Sequence, residues 1–277
     1  MKVCRKFVRI KVRQTAGLVS FPFLAERGGA ALAALLVLAC FNLAGCSQKA
    51  PEIVPEPIQQ APGLSRSAIK FDTTGLTSVY ASGTVQKWSS GRTEEVSLHC
   101  ILAPPDIPCP LSDKKGVQDY FRNCARQSGG GLVSVDMVKV KEVPCIMTIV
   151  KVPQKPSGMT YIGSITIPLA EGSYVIRVQC IETGITGSRE SAVLQNLTTS
   201  GKVGIDGHGN LTNWQQDPYD SSLTAPDLIL RNQSDDEKYD KLFPTHPLTK
   251  VRFGLRTILR TLELDKSVLL APPFLGP

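Results

Sequence analysis

The sequence predicts an α+β fold, with an antiparallel sheet of about five or six strands that is covered by helices. The first observation is that apolar and polar residues alternate in several runs, a period of two that is typical of strands with one covered face. The second is that apolar residues recur three and four positions apart in other segments, as on the inner face of a helix. Glycine and proline separate these segments and supply the turns.

Six segments carry the strand signal. In the segment 159–167, apolar and hydroxyl residues take alternate positions, which gives one dry face and one wet face. In segments 132–143 and 145–152, apolar residues occur at both odd and even positions, which predicts central strands that are covered on both faces. The predicted strands are 83–88, 96–102, 132–143, 145–152, 159–167 and 174–180.

Apolar spacing and residues typical of helix starts predict four helices. An N-cap side chain accepts a hydrogen bond from one of the free amide groups at a helix start. The predicted starts are Ser112 or Asp113 for a helix to Arg126, Thr186 for a helix over 188–197, Ser234 with Glu237 as a capping box, and His246-Pro247 for the last helix. The last helix carries an apolar stripe formed by Leu248, Val251, Leu255, Ile258, Leu259 and Leu262.

An apolar run over residues 28–41 follows a basic segment and ends close to Leu43-Ala44-Gly45-Cys46. Its length suits a signal peptide, which needs about 7–15 apolar residues, and is short for a membrane-spanning helix of about 20. A buried core helix is the alternative. The ending resembles the lipobox of bacterial lipoproteins, which implies cleavage before Cys46 and a lipid on its sulfur. Ser47, in the place where Asp would retain a lipoprotein at the inner membrane, favours the outer membrane.

The chain from Cys46 onward divides into a tether and one folded domain. Residues 46–66 are rich in proline, which holds the backbone extended and prevents a packed core. Residues 67–277 are predicted to form a single α+β domain with a C-terminal helical extension from about residue 200. Residues 1–45 hold seven of the 31 basic and one of the 24 acidic residues, so 24 basic and 23 acidic residues remain. This near-neutral balance does not predict nucleic-acid binding.

Five cysteines follow Cys46, and an oxidising periplasm would allow up to two disulfides with one thiol left over. Cys100 and Cys109 are the predicted pair because they lie close together in the sequence with prolines between them. Buried free thiols are the alternative. The cysteines lack the paired spacing of a zinc site, so we expect neither a metal nor another cofactor.

No catalytic motif stands out, and we therefore expect a protein that is not an enzyme. The histidines His99, His208 and His246 lie beside no nucleophile motif. Carboxylates are concentrated between Asp217 and Asp240 and could serve acid–base chemistry across a cleft. Helix caps and solvated loops are their commoner use, so a periplasmic hydrolase is retained only as an alternative.

Aromatic side chains among the turns and short helices after residue 200 predict a protein-binding surface, because interfaces favour aromatic anchors ringed by polar groups. Three arginines at a spacing of four in the last helix add a candidate contact with an acidic partner or lipid headgroups. The alternatives are that the rings cover the sheet and that the arginines form a solvated ridge. The candidate partner-binding residues are Trp214, Tyr219, Tyr239, Phe243, Arg252, Arg256 and Arg260.

The C-terminal half resembles a family of uncharacterised proteobacterial proteins that is associated with toxin-immunity loci of secretion systems. The resemblance lies in SGMTYIGSITIP, YVIRVQCIETGITGSRESAVL, DPYD and NQSDDEKYDKLFPTHPLTKVR. The order of strands and helices also resembles the PsbP-like α/β sandwich, which implies a scaffold that mostly binds partners. Neither resemblance supplies catalytic residues.

These patterns together predict a lipid-anchored protein of the bacterial envelope that faces the periplasm and inhibits or holds a partner protein, such as a secreted effector toxin. Membrane contact is expected through the lipid on Cys46. An envelope structural or assembly lipoprotein is the first alternative, and the hydrolase is the second.

Overall fold

A seven-stranded antiparallel sheet forms the centre of the structure, which is a computed structural model that describes residues 64–91, 93–223 and 228–277. The strand order in the sheet is β2-β3-β4-β8-β7-β6-β5, and two short ribbons, β1-β11 and β9-β10, lie outside it. The strands are β1 (Ile69–Lys70), β2 (Thr77–Ala81), β3 (Val85–Ser89), β4 (Glu94–Ile101), β5 (Gly131–Val140), β6 (Val143–Pro153), β7 (Met159–Leu169), β8 (Gly172–Ile181), β9 (Gly204–Ile205), β10 (Leu211–Thr212) and β11 (Glu263–Leu264).

Four α-helices accompany the sheet in the described part of the chain, which confirms the α+β prediction. They are α1 (Lys114–Gln127), α2 (Ser188–Thr199), α3 (Pro247–Thr261) and α4 (Lys266–Leu269). Short 3₁₀ turns cover Arg66–Ala68, Gln233–Asp235 and Glu237–Tyr239. None of the described helices is long and apolar enough to cross a membrane.

The sheet has one strand more than the upper end of the predicted range. The additional strand is β2, which pairs with β3 at one edge and has all five of its residues exposed. An edge strand with no covered face lacks the alternation of apolar and polar residues that marks a half-buried strand. A register shift between Ser78 and Tyr80 also interrupts its pairing with β3.

The helix α3 covers one face of the sheet, where the main hydrophobic core lies. Its stripe of Leu248, Val251, Leu255 and Ile258 is buried against β7 and β8, as the spacing of these residues predicts. The helix approaches the sheet closely because Gly163 of β7 and Gly254 of α3 have no side chain at the contact. A Cβ atom on Gly163 of β7 would lie 2.6 Å from carbons of both Val251 and Leu255.

We expect Gly163→Ala to lower the free energy of unfolding by about 1–3 kcal/mol, the usual cost of overpacking a close-packed core. Its Cβ would have to displace Val251 and Leu255 of α3. Gly207→Ala is the matched control, because nothing lies within 4 Å of a Cβ atom at that exposed position. Urea unfolding of both variants measures the difference, and equal midpoints would contradict the close approach.

The helix α1 covers part of the opposite face, at the β5 edge. Asp113 is its N-cap residue, because its side chain accepts a hydrogen bond from the amide of Gly116. Val117 and Ala125 of this helix pack in a second apolar cluster with Leu132, Val135 and Ile146 of β5 and β6. The helix prediction for this segment is confirmed, with Asp113 rather than Ser112 as the cap.

The predicted disulfide between Cys100 and Cys109 is wrong. Both residues are buried free thiols, as are Cys145 and Cys180, and the fifth described cysteine, Cys124, is a half-buried free thiol. Cys100 points into the main core under α3, whereas Cys109 belongs to the cluster under α1 on the other face of the sheet. Closeness in the sequence misled the prediction because the proline-rich connection carries the chain from one face to the other.

Two predicted helix starts are also misplaced. Thr186 does not cap α2, because the N-cap position is taken by Gly187 in a left-handed conformation (φ 72°) with no side-chain cap. The capping box is formed by Asn232 and Asp235 rather than by Ser234 and Glu237, two residues further on. The last helix begins as predicted, with Pro247 in its first turn and His246 as the N-cap residue.

The predicted signal peptide, the lipobox and the lipidation residue Cys46 lie outside the described residues, as does most of the predicted tether over 46–66. The described chain begins at Leu64, and Ser65 exchanges two hydrogen bonds with the Tyr174 hydroxyl, each 3.0 Å long. These contacts fasten the start of the described chain to β8.

Candidate functional site

Two adjoining clefts form a groove along α3. The first cleft has a volume of about 270 Å³ and lies between the end of β8, the segment 182–188 and the start of α3. The second cleft has a volume of about 530 Å³ and lies between the outer side of α3 and the residues of segment 72–76 and β4. Cys180, Pro244 and Lys250 line both clefts, so the two are neighbours.

Large apolar side chains are exposed along this groove. Ile185 and Leu242 line the first cleft with 87% and 71% of their surface exposed, and Phe253 lines the second with 69% exposed. Isolated exposed apolar residues are common on protein surfaces, whereas several around one concavity are typical of a binding site. The groove is therefore the candidate functional surface.

An ion pair stands where the two clefts meet. Lys250 Nζ lies 2.5 Å from Glu94 Oε1, and both side chains are about one-third exposed. Burial raises the pKa of Glu94, but hydrogen bonds from Lys250 and Ser90 outweigh that effect and hold the pKa below its usual value. The groove thus presents apolar surface on both sides of one fixed pair of charges.

A buried polar cluster lies behind the first cleft. It consists of Glu182 after β8, Glu190 in the first turn of α2, the cap residue His246 of α3, and Tyr161 of β7. One ligand atom of each of the first three residues lies within 4.8 Å of the other two. Glu182 and His246 also line the first cleft.

Glu182 is held by backbone amides from two sides. Its Oε2 accepts a hydrogen bond from the amide of Met159 at 2.8 Å, and its Oε1 accepts one from Gly187 at 3.0 Å. Burial raises the pKa of Glu182, but the neighbouring His246 ring and the hydrogen bonds from the amides of Gly187 and Met159 together lower it below its usual value. The folded chain therefore favours the ionised form of this carboxylate.

Tyr161 orients Glu190. Its hydroxyl donates a hydrogen bond to Glu190 Oε1 at 3.1 Å and lies 3.5 Å from Asp235 Oδ1. Burial, followed by the negative charges of Asp235, Glu190 and Glu182, raises the pKa of Tyr161 far above its usual value. The phenol is therefore a permanent hydrogen-bond donor in this cluster.

His246 has two different roles at its two ring nitrogens. Its Nδ1 accepts the amide of Leu248 at 3.2 Å, a helix cap of a type worth about 1 kcal/mol. Its Nε2 lies 3.7 Å from Glu182 Oε1 and 4.0 Å from Glu190 Oε1 and has no hydrogen-bond partner among the described residues. The ring packs edge-on against Tyr161 with a centroid distance of 5.3 Å.

Buried ion pairs fasten the segment 232–240 over the cluster. Lys151 Nζ lies 2.6 Å from Asp235 Oδ2, and the two side chains are 3% and 1% exposed. Arg189 and Arg252, from α2 and α3, both pair with Asp240, at 2.9 and 2.8 Å. Three cationic side chains from separate elements thus hold this segment in place.

Several predicted partner-binding residues have structural contacts instead. Trp214 is only 9% exposed and packs with Val193 and Leu197 of α2, so it does not form the exposed anchor that the sequence suggests. The Tyr219 hydroxyl bonds both the amide and the carbonyl of Val135 and so covers part of the free edge of β5. Arg252 is buried in its ion pair with Asp240.

The other predicted residues keep some exposed surface. Phe243 lines the first cleft with its ring beside Arg189, and Tyr239 is half-buried with Lys238 over its ring. Arg256 is exposed and pairs with Glu237, and Arg260 is exposed on the same helix. Of the seven candidates, Phe243 is the one that the structure brings to the groove.

The acidic residues considered for a hydrolase are largely engaged in ion pairs. Asp217 accepts Arg122 Nε and Nη2 at 2.8 and 2.9 Å, and its side chain is 4% exposed. Asp235 and Asp240 carry the pairs with Lys151, Arg189 and Arg252 described above. Their contacts support structural roles in holding loops to helices and strands.

The sequence reasoning missed the exposed residues Ile185, Leu242 and Phe253. Phe253 had a usable signal, because it lies outside the stripe of α3 that faces the core. The cluster of Glu182, Glu190 and His246 had none, since the three residues come from separate elements and no spacing brings them together.

Comparisons with known proteins give only distant similarities. No family model and no curated protein matches the chain. The Ran-binding protein Mog1p of Saccharomyces cerevisiae is similar with 12% identity, covers 73% of this chain and 93% of its own, and has a TM-score of 0.39. A point mutant of Mog1 gives the same identity and TM-score and is covered over 94% of its length. The Pseudomonas aeruginosa protein PA94, of unknown function, has 6% identity, a TM-score of 0.26 and coverages of 47% and 96%.

Proposed function

We propose that this chain is a lipid-anchored binding protein of the bacterial envelope that inhibits or holds a partner protein seated in the groove along α3. The observation that supports the proposal is the exposure of Ile185, Leu242 and Phe253 around two adjoining clefts. Large apolar side chains normally pack inside a protein. Their exposure around these clefts favours a second molecule that covers them.

The shape of the surface favours a protein segment over a membrane. A membrane accepts apolar side chains that project from a convex surface, whereas here they surround two hollows of about 270 and 530 Å³. The Lys250–Glu94 pair between the hollows offers both a donor and an acceptor to a peptide backbone or a polar side chain. The partner of this proposal therefore inserts one apolar side chain on each side of that pair.

The location within the envelope rests on the resemblance of the chain around Cys46 to a lipobox, and the inhibitory role on the immunity-like resemblance of the C-terminal half. The predicted tether over residues 46–66 would let the groove reach a partner close to the membrane. The partner class that fits is a secreted effector or another envelope protein with an exposed apolar segment.

We expect Phe253→Glu and Leu242→Glu to weaken partner binding at least tenfold, because hot-spot side chains at interfaces contribute about 2 kcal/mol or more. The test compares partners crosslinked to the full chain in its native envelope and identified by mass spectrometry. Both positions are exposed, so the thermal midpoint of each variant should stay within about 2 °C of the wild type.

The matched control is Ile205→Glu, which adds the same charge at a residue that is 65% exposed on the β9-β10 hairpin. Support requires one partner that the wild type and Ile205→Glu capture and that both groove variants lose. Retention of that partner by Phe253→Glu and Leu242→Glu would overturn the proposal.

A further inference from the structure

Two carboxyl groups behind the first cleft have no lysine or arginine as an ion-pair partner in the part of the chain that the structure describes. The buried acids nearby are paired, Asp235 with Lys151 and Asp240 with Arg189 and Arg252. In contrast, Glu182 and Glu190 form no ion pair with any lysine or arginine of the described residues. Negative charge removed from water without a counter-charge is costly, so the cluster favours an added cation.

Two buried atoms in the same cluster also lack partners. His246 Nε2, on a side chain that is 5% exposed, has no hydrogen-bond partner among the described residues, and neither has Glu190 Oε2. Nε2 faces Oε1 of Glu182 and Oε1 of Glu190. Buried polar atoms are almost always satisfied, so an unpartnered Nε2 that faces two carboxylate oxygens indicates a bound group.

We propose that Glu182, Glu190 and His246 bind one divalent transition-metal ion of the Zn²⁺ class through their carboxylate oxygens and Nε2. Zinc lies about 2.0–2.2 Å from nitrogen and oxygen ligands, which places ligand atoms about 3–4 Å from one another. The Nε2 atom already lies 3.7 and 4.0 Å from the two carboxylate oxygens, and all three atoms lie within 4.8 Å. Only a small movement of the three side chains toward one another is needed to reach the ligand spacing around zinc.

The groups around the three ligands hold them in place for this role. The amides of Met159 and Gly187 fix Glu182, and the Tyr161 hydroxyl fixes Glu190. Carboxylate oxygens retain lone pairs after accepting one hydrogen bond, so each can still bind an ion. Such supporting hydrogen bonds to ligand side chains are a regular feature of metal sites.

Binding through Nε2 changes the tautomer of His246. While Nδ1 accepts the Leu248 amide, the single proton of the neutral ring lies on Nε2. An ion at Nε2 moves that proton to Nδ1, and Leu248 loses its acceptor. One helix-cap hydrogen bond of 3.2 Å is given up for three ligand bonds and a counter-charge to the buried Glu182 and the partly buried Glu190.

The donor set and the surroundings define the kind of ion. One imidazole and two carboxylates suit Zn²⁺, Mn²⁺ or Fe²⁺, whereas Mg²⁺ and Ca²⁺ prefer oxygen ligands alone. Three protein ligands leave a coordination position for water. Glu182 and His246 also line the first cleft, so the proposed site borders the groove.

The test uses the full chain in detergent after treatment with a chelator, with Zn²⁺ as the probe and Mg²⁺ for comparison. We expect one Zn²⁺ per chain by calorimetric titration, a rise in the thermal midpoint with Zn²⁺, and none with Mg²⁺. Glu190→Gln and His246→Asn should weaken binding by about 100-fold or more, and Tyr161→Phe by about tenfold. Asparagine is a good N-cap residue, so His246→Asn keeps the start of α3 while removing the imidazole.

The matched control is His208→Asn, which removes a histidine from the exposed turn between β9 and β10 and should bind Zn²⁺ like the wild type. Nitrogen NMR of the wild type should show the proton of His246 moving from Nε2 to Nδ1 on Zn²⁺ addition. The proposal is overturned if the wild type takes up no Zn²⁺, or if both Glu190→Gln and His246→Asn bind it with wild-type affinity.

Discussion

Asp235→Asn is expected to lower the free energy of unfolding by about 3–5 kcal/mol, the usual cost of removing one partner of a buried ion pair. The Asp235 and Lys151 side chains are almost completely buried, and their charged atoms are 2.6 Å apart. Asparagine keeps the shape of the side chain but leaves the Lys151 ammonium without a counter-charge. The same carboxylate also accepts the Asn232 amide, so the capping box weakens as well.

Chemical denaturation of the wild type and the variant measures this loss. Asp236→Asn is the matched control, because Asp236 is the next residue, pairs with Lys238 at the surface and is 39% exposed at its side chain. Its loss should stay below about 1 kcal/mol, as for other exposed ion pairs. Equal losses in the free energy of unfolding for both variants would show that the buried Lys151–Asp235 pair stabilises the fold no more than the exposed pair does.

Replacement of both partners tests the cause of the loss. In Lys151→Met with Asp235→Leu, neither charge is left buried without a counter-charge. Apolar replacement of a buried ion pair is often close to neutral, so the double variant should be more stable than Asp235→Asn by about 1–3 kcal/mol. A double variant that is less stable than Asp235→Asn would point to the shape of the site rather than to its charge.

The second large effect is an acid-dependent loss of stability at His99. Burial, followed by the positive charges of Arg177 and Lys87, lowers the pKa of His99 from 6.5 to about 4. Its Nε2 is 3.1 Å from Ser97 Oγ on the same strand. An unfolded chain takes up a proton at this residue near pH 6.5, whereas the folded chain does so only near pH 4. Between those values the unfolded state binds more protons, so stability falls as the pH falls.

The expected size of this loss is about 2–3 kcal/mol between pH 7 and pH 4, from a pKa difference of about 2.5 at 1.36 kcal/mol per unit. Urea unfolding of the wild type and His99→Gln across this range isolates the contribution, since the carboxylates common to both cancel. His208→Gln, at an exposed turn, should keep the pH dependence of the wild type. An identical pH dependence in the wild type and His99→Gln would contradict a neutral His99 in the folded state.

The helices and strands in which apolar residues recur at regular spacing could be predicted from the sequence. Segments such as 159–167 and the stripe of α3 are recovered because one face of each is covered, and the covered face imposes the spacing. The strand β2 could not be predicted, since an exposed edge imposes no spacing. Cap positions were missed by one or two residues at Gly187 and Asn232 because the deciding groups come from other parts of the chain.

The candidate site was harder to predict because it is built from residues distant in sequence. Aromatic residues were predicted to be partner-binding anchors, but Trp214 packs in the core under α2 and Tyr219 covers the edge of β5. Both are needed by the fold, and composition cannot separate that use from partner binding. Phe253 was detectable in principle, because an aromatic residue outside the apolar stripe of an amphipathic helix has no place in the core.

The measurement that tests the central claim most directly is crosslinking from within the groove in living cells. A photoreactive amino acid placed at position 253 of the full chain should form an adduct with one partner protein, and Leu242→Glu in the same chain should abolish that adduct. The same amino acid at position 205, equally exposed but outside the groove, should not form it. Absence of an adduct at position 253, or an adduct that Leu242→Glu leaves unchanged, would contradict a partner seated in the groove.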